Sequence, residues 1–330
     1  MNNNTSRHSN TQVKSAGDRI SKETASNADW AVLEEFRNSH AYVLNTFRPT
    51  LTRHISNRRN TIFVQRLKRK STIIDKLLTG RAKDLSTMHD LAGCRLIFDS
   101  VSNLEKYRNK LHSSRFKHQR IHNDKYDYIK SPKKTGYRGI HDVYKYKVLS
   151  TGGSRYNGLF IEIQYRTRIQ HAWATAVEIS DFINKTRVKF DRGASPKRER
   201  FFVLASEYLA RTYEDLAGPA PEISTADLMK ELKKLEHELG VVQGLMALHE
   251  ERVEMPNSMN VVLHFHKNSL GAKGFRSASQ AITFRDEIER IHPDDDVVYV
   301  RGKNSSEIRT AFRNYFRNSK EFVRLIEPAV

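Results

Sequence analysis

The sequence predicts an α+β protein, a mixed β-sheet covered by helices, followed by a long helix and a small β-α-β-α C-terminal domain. Three observations predict this. β-rich runs alternate with helical stretches from about residue 60 to 182, and Gly152-Gly153 joins two of the runs as a hairpin loop. Leu228, Leu232, Leu235, Leu239, Val242, Leu245 and Leu248 recur at three- and four-residue steps. Beyond residue 257, strand-like and helix-like runs alternate again.

In chain order, residues 1–28 are rich in Asn, Ser and Thr and read as a disordered tail. Residues 29–222 read as the main domain. Its first helix spans Trp30 to Phe47 with Asp29 as a plausible cap. An exposed strand is expected within Arg53–Arg69, where Thr61, Ile62, Phe63 and Val64 stand among basic residues. A short helix follows over Ser71–Leu78. Four further strands are expected at Arg95–Phe98, Tyr126–Ile129, Ile140–Val148 and Phe160–Tyr165. Helices are expected near Asn103–Leu111, over Thr167–Phe182 and around Arg198–Glu214. A Gly218-Pro219-Ala220-Pro221 break then precedes a helix over residues 223–257 that starts near Ser224 and Asp227. Its apolar stripe suits packing on its own chain, with a coiled-coil homo-oligomer through residues 224–254 as the alternative. Residues 258–330 read as strand Val261–Phe265, helix Ser277–Ile291, strand Val297–Val300 and helix Ser305–Ile326.

Composition bounds the function. The 330 residues hold 57 Lys+Arg and 38 Asp+Glu, so the net charge is 57 − 38 = +19, and there is one cysteine. That cysteine count excludes a disulfide framework or a Cys-rich metal site. No apolar run is long enough to suggest a membrane span, and the N-terminus lacks an apolar leader, so a cytoplasmic protein without membrane partners is expected. The charge calls for an anionic partner. Residues 51–190 sum to +19, whereas residues 1–50, 191–250 and 251–330 sum to +1, −3 and +2. The excess therefore marks one stretch as the place for phosphate binding.

Four clusters lie in that stretch. The first is Arg66-Leu-Lys68-Arg-Lys-Ser71-Thr72-Ile-Ile-Asp-Lys76, where cations meet a helix start that favours a polyphosphate. A solvated basic face is the bland alternative. The second is His89-Asp90-Leu-Ala-Gly93-Cys94-Arg95, where Asp90 suits Mg2+ or a plain ion pair with Arg95. The third runs from Tyr126 to His141 and places Lys130, Lys133, Lys134, Tyr137 and Arg138 in one loop with Pro132 and Gly136. Cations for phosphates beside a ring face for a base suit a nucleotide. The fourth is Glu162-Ile-Gln164-Tyr-Arg166-Thr167, followed by His171 and Trp173. Glu162 and Gln164 share a strand face, and a carboxylate facing a basic cleft needs a cation or a catalytic role. Trp173 reads as core.

In this order the clusters resemble the synthetase domain of the RelA/SpoT-homologue family, the alarmone (p)ppGpp synthetases, over about residues 50–185. The family pattern is R-x-K-x-x-x-S-x-x-x-K, D-x-x-G-x-R, Y-I-x-x-P-K-x-x-G-Y-x-x-x-H and E-x-Q-x-R-T. Each fixed position is present except the serine, which is Thr72 here and keeps the hydroxyl. The resemblance implies a nucleotidyltransferase-like fold and a synthetase-only member, because no HD hydrolase domain precedes the motifs. It implies transfer of pyrophosphate from ATP to the 3′-hydroxyl of GDP or GTP, with release of AMP. By motif, Arg66 and Arg95 would sandwich adenine, and Lys68, Thr72 and Lys76 would hold the ATP phosphates. Asp90 and Glu162 would bind Mg2+, and Glu162 would also assist deprotonation of the acceptor. Lys133 and His141 would contact phosphates near the acceptor, Tyr137 would stack on guanine, and Gln164 would shape the acceptor site. His171 stands where small synthetases often have Asn or Asp, and Tyr126 where the family often has a cation. Both departures bear on the acceptor.

Two alternatives stand beside this reading. A toxin-type member would pyrophosphorylate adenosine nucleotides or the 3′ end of tRNA, with Arg58, Arg59, Arg69, Arg115, Lys117 and Arg120 along an RNA backbone. Residues 224–330 would then serve as an inhibitor or sensor, or a separate partner would neutralise the toxin. A catalytically inactive nucleotide- or RNA-binding module has no evident need for Asp90, Glu162, Tyr137 and Lys133 together.

Overall fold

The computed structural model describes residues 8–55, 60–187, 196–248, 253–266, 269–293 and 295–330. Its centre is an eight-stranded mixed sheet. The strands are β1 (Ile62–Leu67), β2 (Ala92–Phe98), β3 (Gln119–Ile121), β4 (Ile140–Lys145), β5 (Phe160–Thr167), β6 (Asn260–His266), β7 (Ser269–Phe275) and β8 (Asp296–Arg301). Their spatial order is β3-β4-β5-β2-β1-β8-β6-β7. Only the β2–β5 pair is parallel; the remaining neighbours are antiparallel.

One face of this sheet carries α1 (Asn10–Ser21), α2 (Asn27–Arg53), α3 (Lys70–Leu78), α4 (Val101–His112) and α10 (Ala278–Ile291), around a core that includes Phe36, Phe47, Leu96, Tyr107, Ile161 and Tyr165. A second core joins α6 (Arg168–Arg187), α7 (Pro196–Glu214), α8 (Thr225–Leu239), α9 (Val241–Met246) and α12 (Lys320–Ile326). A third packs α11 (Ser305–Ala311), Phe312 and Phe316 against Val64, Ile97, Val261 and Val298. The remaining helix, α5 (Thr151–Ser154), is one turn after β4.

Several expectations need correction. Residues 10–21 form a helix, not a disordered tail: Val13, Ala16, Gly17 and Ile20 repeat at helical spacing and are buried, and Ser9 closes a capping box with Gln12. The polar composition hid that stripe. The strand expected to be exposed is β1, which is buried because it lies inside the sheet between β2 and β8, fifth from one edge and fourth from the other. Tyr126–Ile129 contributes one isolated bridge, Asp127 to Ile140, and the strand beside β4 is the short β3 instead. The long helix is broken at Gly240, whose φ of +57° ends α8 and opens α9. Residues 249–252, at the far end of that expected helix, lie outside the described residues. Leu228, Leu232 and Leu235 are buried against the same chain, so the apolar stripe is occupied within the chain.

The C-terminal elements appear in the expected order, with one addition. β7 was hidden by Gly271 and Gly274, which dilute a strand pattern. The last expected helix is split into α11 and α12. These strands do not stand apart: β8 pairs with β1 through Gln65–Arg301 and Arg66–Val300, so the sheet runs on without a break.

Buried polar contacts tie this assembly to the motif region. Arg37 of α2 is fully buried, donates to Glu289 of α10 at 2.6 and 3.0 Å, and donates to the Lys68 carbonyl at 2.7 Å. The backbone that follows β1 is thereby held from both sides.

Candidate functional site

Strand register assembles the site. Arg66 lies opposite Gly93, which lies opposite Glu162. Two residues along, Arg95 lies opposite Gln164, which lies opposite His141. Cross-strand partners and i, i+2 residues share a face. Arg66, Arg95, His141, Glu162 and Gln164 therefore rise from one face of the sheet. Gly93 leaves open the space between Arg66 and Glu162 that any side chain would fill.

Lys68 and Asp90 enter from the loops flanking these strands. The Lys68 ammonium is 2.6 Å from Asp90 Oδ2, and Lys76, from α3, is 2.8 Å from the same oxygen. Burial lowers Lys68 to about 8, although Asp90 pulls the other way. Burial opposes the Asp90 charge too, but Lys68 and Lys76 outweigh it and hold the carboxyl below its usual range. Two ammonium groups on one carboxylate oxygen make a triad able to reopen around a metal and phosphates.

Across the cavity, Tyr137, His141 and Glu162 form a chain. Tyr137 OH lies 2.6 Å from His141 Nε2, and His141 Nδ1 lies 2.8 Å from Glu162 Oε1. The Gln164 amide donates to Glu162 Oε2 at 2.6 Å. Burial disfavours the imidazolium, yet Tyr137 and Glu162 raise His141 to about 9. Burial likewise opposes the Glu162 charge, but His141 and Gln164 hold that carboxyl well below its ordinary range. Glu162 is thus ionised and oriented at neutral pH.

The carboxylates of Asp90 and Glu162 line one open cavity of about 500 Å3, together with Lys76, Lys133, His141 and Gln164. Arg81, Lys83, His89, Tyr126 and Tyr128 also line it; none of these was singled out as a site residue. Lys133 lies over both motif rings, nearer Tyr128 at 4.3 Å from the centroid than Tyr137 at 5.3 Å. Tyr137 stands behind Tyr128, edge-to-face at 5.7 Å, enclosed by Arg166 and Trp173. Alternation of Tyr126 and Tyr128 was the available signal.

Arg66 and Arg95 meet on the other side of Glu162, in a narrow slot with Asp90, Gly93, Gln164 and Phe312. Arg95 donates to the Ala311 carbonyl at 2.7 Å and lies over the Phe312 ring at 5.7 Å. Burial, with Arg166 and Arg66 nearby, holds Arg95 below its usual range. A buried guanidinium beside two others, with neutral partners only, favours an incoming anion or an aromatic ring. Arg66 also opens onto a second cavity of about 420 Å3 that holds Thr72, Arg69, Phe265, Asp296 and Tyr315. Arg69 pairs with Asp296, an approach from 227 residues away that no local pattern announces.

Of the twelve site residues expected from the motifs, nine line these cavities, Lys68 and Tyr137 stand behind them in contact with Asp90 and His141, and His171 is set apart from the rest. His171 lies buried on α6, with Nε2 donating to the Thr310 carbonyl at 3.0 Å. Burial, with Arg95 and Arg166 nearby, lowers it well below the usual range, so it is neutral. Its contact is with the C-terminal segment instead of the acceptor side.

No metal is required to hold these side chains, yet they suit one. Asp90 and Glu162 present hard oxygen donors to the same cavity, the donor type Mg2+ takes.

Residues 65–184 match the family model described as "Region found in RelA / SpoT proteins". The GTP pyrophosphokinase YjbM of Bacillus subtilis (strain 168) is 26% identical over 151 residues, covering 46% of this chain and 66% of that protein. The chain therefore spans just under two thirds of that relative. Among solved structures, small alarmone synthetase 1 from Bacillus subtilis bound to its product pppGpp is 21% identical, with a TM-score of 0.42, covering 62% of this chain and 94% of that one. Small alarmone synthetase 2 from the same organism is 24% identical, also at 0.42, covering 52% and 88%. Among the described residues, no helix is long and apolar enough to cross a membrane. Residues 65–184 of this chain are a RelA/SpoT region.

Proposed function

We propose that the chain is a Mg2+-dependent pyrophosphokinase that transfers the β,γ-diphosphate of ATP to the 3′-hydroxyl of GDP or GTP and releases AMP. One observation carries the reading. Asp90, in the loop that leads into β2, and Glu162, on the adjacent strand β5, face the same cation-lined cavity of the RelA/SpoT region, with Arg66 and Arg95 beside them. Diphosphate transfer needs charge neutralisation and alignment more than covalent chemistry, and these groups supply both.

In this reading ATP lies with its adenine between Arg66 and Arg95 and its phosphates toward Lys68, Thr72 and Lys76. Asp90 and Glu162 hold Mg2+, which when bound polarises the phosphate under attack. Lys68 and Lys76 then pass from Asp90 to phosphate oxygens. Tyr128 and Tyr137 offer rings for the guanine, and Lys133 and His141 meet the acceptor's charged groups. Gln164 holds Glu162 in place. Glu162 accepts the 3′-hydroxyl proton as the oxygen attacks the β-phosphorus of ATP, and the bond to the α-phosphate oxygen of AMP breaks. The His141–Glu162 contact keeps that carboxylate oriented. His171 is assigned no acceptor contact. The reaction belongs to the cytoplasm, where both nucleotides are available.

The test is a product assay. The purified chain, given ATP labelled in the terminal phosphate, Mg2+ and GDP or GTP, should yield a guanosine nucleotide carrying a labelled 3′-diphosphate, with AMP in equal amount. ATP as acceptor and bulk tRNA form parallel arms. Label on tRNA with guanosine nucleotides unmodified would overturn the acceptor assignment. No transfer in any arm, with ATP still bound, would leave the inactive binding module. The RNA reading is weakened by two of its cations being engaged: Arg69 pairs with Asp296, and Arg120 with Asp124 and Asp142. Arg58 and Arg59 lie outside the described residues.

A further inference from the structure

Outside the cavities described above, the ends of β6 and β8 bring together a second set of polar groups. His264 and His266 are two apart on β6, so both imidazoles rise from the same face. Asp295 directly precedes β8 and meets them there. Its Oδ2 lies 2.6 Å from His264 Nε2 and 2.7 Å from His266 Nδ1. One donor atom from each of the three residues falls within 4.8 Å of the others. His292, just after α10, adds a third ring, stacked on His264 at 6.1 Å and 5.1 Å from His266.

We propose that His264, His266 and Asp295 form a binding site for a divalent transition metal of the zinc class. Two imidazoles and a carboxylate are a donor set for such ions, whereas Mg2+ and Ca2+ prefer oxygen alone. Zinc accepts these ligands at about 2.0–2.2 Å in a tetrahedral arrangement, which separates neighbouring donor atoms by roughly 3.3–3.6 Å. The two nitrogen–oxygen pairs therefore have to open by under about 1 Å. The backbone can keep its place, because Asp295 continues the β6–β8 register opposite His266.

Accessibility suits an ion that arrives from solvent. The Asp295 side chain is 13% exposed, His264 24% and His266 39%. At present the two ring nitrogens share one carboxylate oxygen. With the metal bound, the same nitrogens turn lone pairs to it, and each N–H moves to the other ring nitrogen. Water fills the fourth position, and His292 walls one side.

The site's position matters as much as its donors. Phe265, between the two histidines, and Asp296, next to Asp295, point to the opposite face and line the cavity that holds Arg66 and Thr72. A metal there is separated from that cavity by the thickness of one sheet.

The experiment uses the full chain, stripped with a chelator and titrated with Zn2+ by calorimetry, and with Co2+ followed by its visible ligand-field bands. One zinc ion per chain is expected, with Co2+ bands of tetrahedral intensity. The ion and the bands should vanish in His264→Ala/His266→Ala, and Asp295→Asn should weaken binding by about 100-fold. Zn2+ should also raise the melting temperature of the wild type and leave the double variant unmoved. If the double variant does not fold, the single His266→Gln exchange at the more exposed position gives the same comparison. Wild type that binds no ion, or variants that bind it equally well, would reduce the cluster to hydrogen bonding alone and overturn the proposal.

Discussion

Replacing Glu162 with glutamine removes the anion 2.8 Å from His141 Nδ1 while keeping the shape of the side chain. His141 stands at about 9 against an ordinary 6.5, a rise of about 2.5. At about 1.4 kcal/mol per unit that lift is worth about 3 kcal/mol. Tyr137 and Glu162 are its sources, and burial works against both. Removing the Glu162 anion should therefore lower His141 and weaken part of that lift. The folded-state value is raised, so the stabilisation is fully present below pH 6.5 and is lost as pH rises through about 9. Glu162→Gln should thus be destabilised most below pH 6.5 and approach the wild type above 9. NMR titration of the His141 ring should show a fall, and urea unfolding at pH 6 and 9.5 should show the converging stabilities. Diphosphate transfer should be lost while ATP still binds. An unchanged His141 titration, or a deficit that grows with pH, would refute the assignment of this contact.

Three further outcomes follow from other contacts. Arg37→Met should destabilise by about 3–5 kcal/mol in urea unfolding, because it strands the buried Glu289 carboxylate and the Lys68 carbonyl. A loss below 1 kcal/mol would mean that the pair contributes little. Gly136→Ala should cost about 1–3 kcal/mol, since its φ is +93° and the new Cβ would meet Trp173 at 2.8 Å, and thermal melting measures it. Tyr128→Ala should raise the acceptor KM by about tenfold, with the ATP KM little changed, because base stacking is worth roughly 1–3 kcal/mol. Equal effects on both substrates in initial-rate kinetics would remove Tyr128 from the acceptor side.

The motif region was legible because its chemistry is local. A strand sets Glu162 and Gln164 on one face whatever surrounds it, and spacing from Lys68 puts Lys76 on the following helix, where it falls in the last turn. What stayed hidden depends on contacts between distant segments. Nothing near Arg69 announces Asp296, and nothing near His171 announces the Thr310 carbonyl. β1 looked exposed because its basic flanks were visible and its neighbour β8, more than 230 residues later, was not. The first helix was misread for another reason: four buried positions among polar ones suffice when other helices supply the remaining core, and composition averages them away. Tyr137 drew attention from Tyr128 because a motif ranks residues by pattern, whereas the fold ranks them by what faces open space.

The seam between β1 and β8 has a practical consequence. A shortened chain that stops before β6 would leave the strand carrying Arg66 with a row of unpaired backbone amides and carbonyls. Such a fragment would invite strand-to-strand association with other copies, and Arg95 would lose the Ala311 carbonyl at the same stroke. Activity missing from that fragment would report on solubility as much as on chemistry. The C-terminal segment is better probed by point substitutions in the intact chain than by deletion.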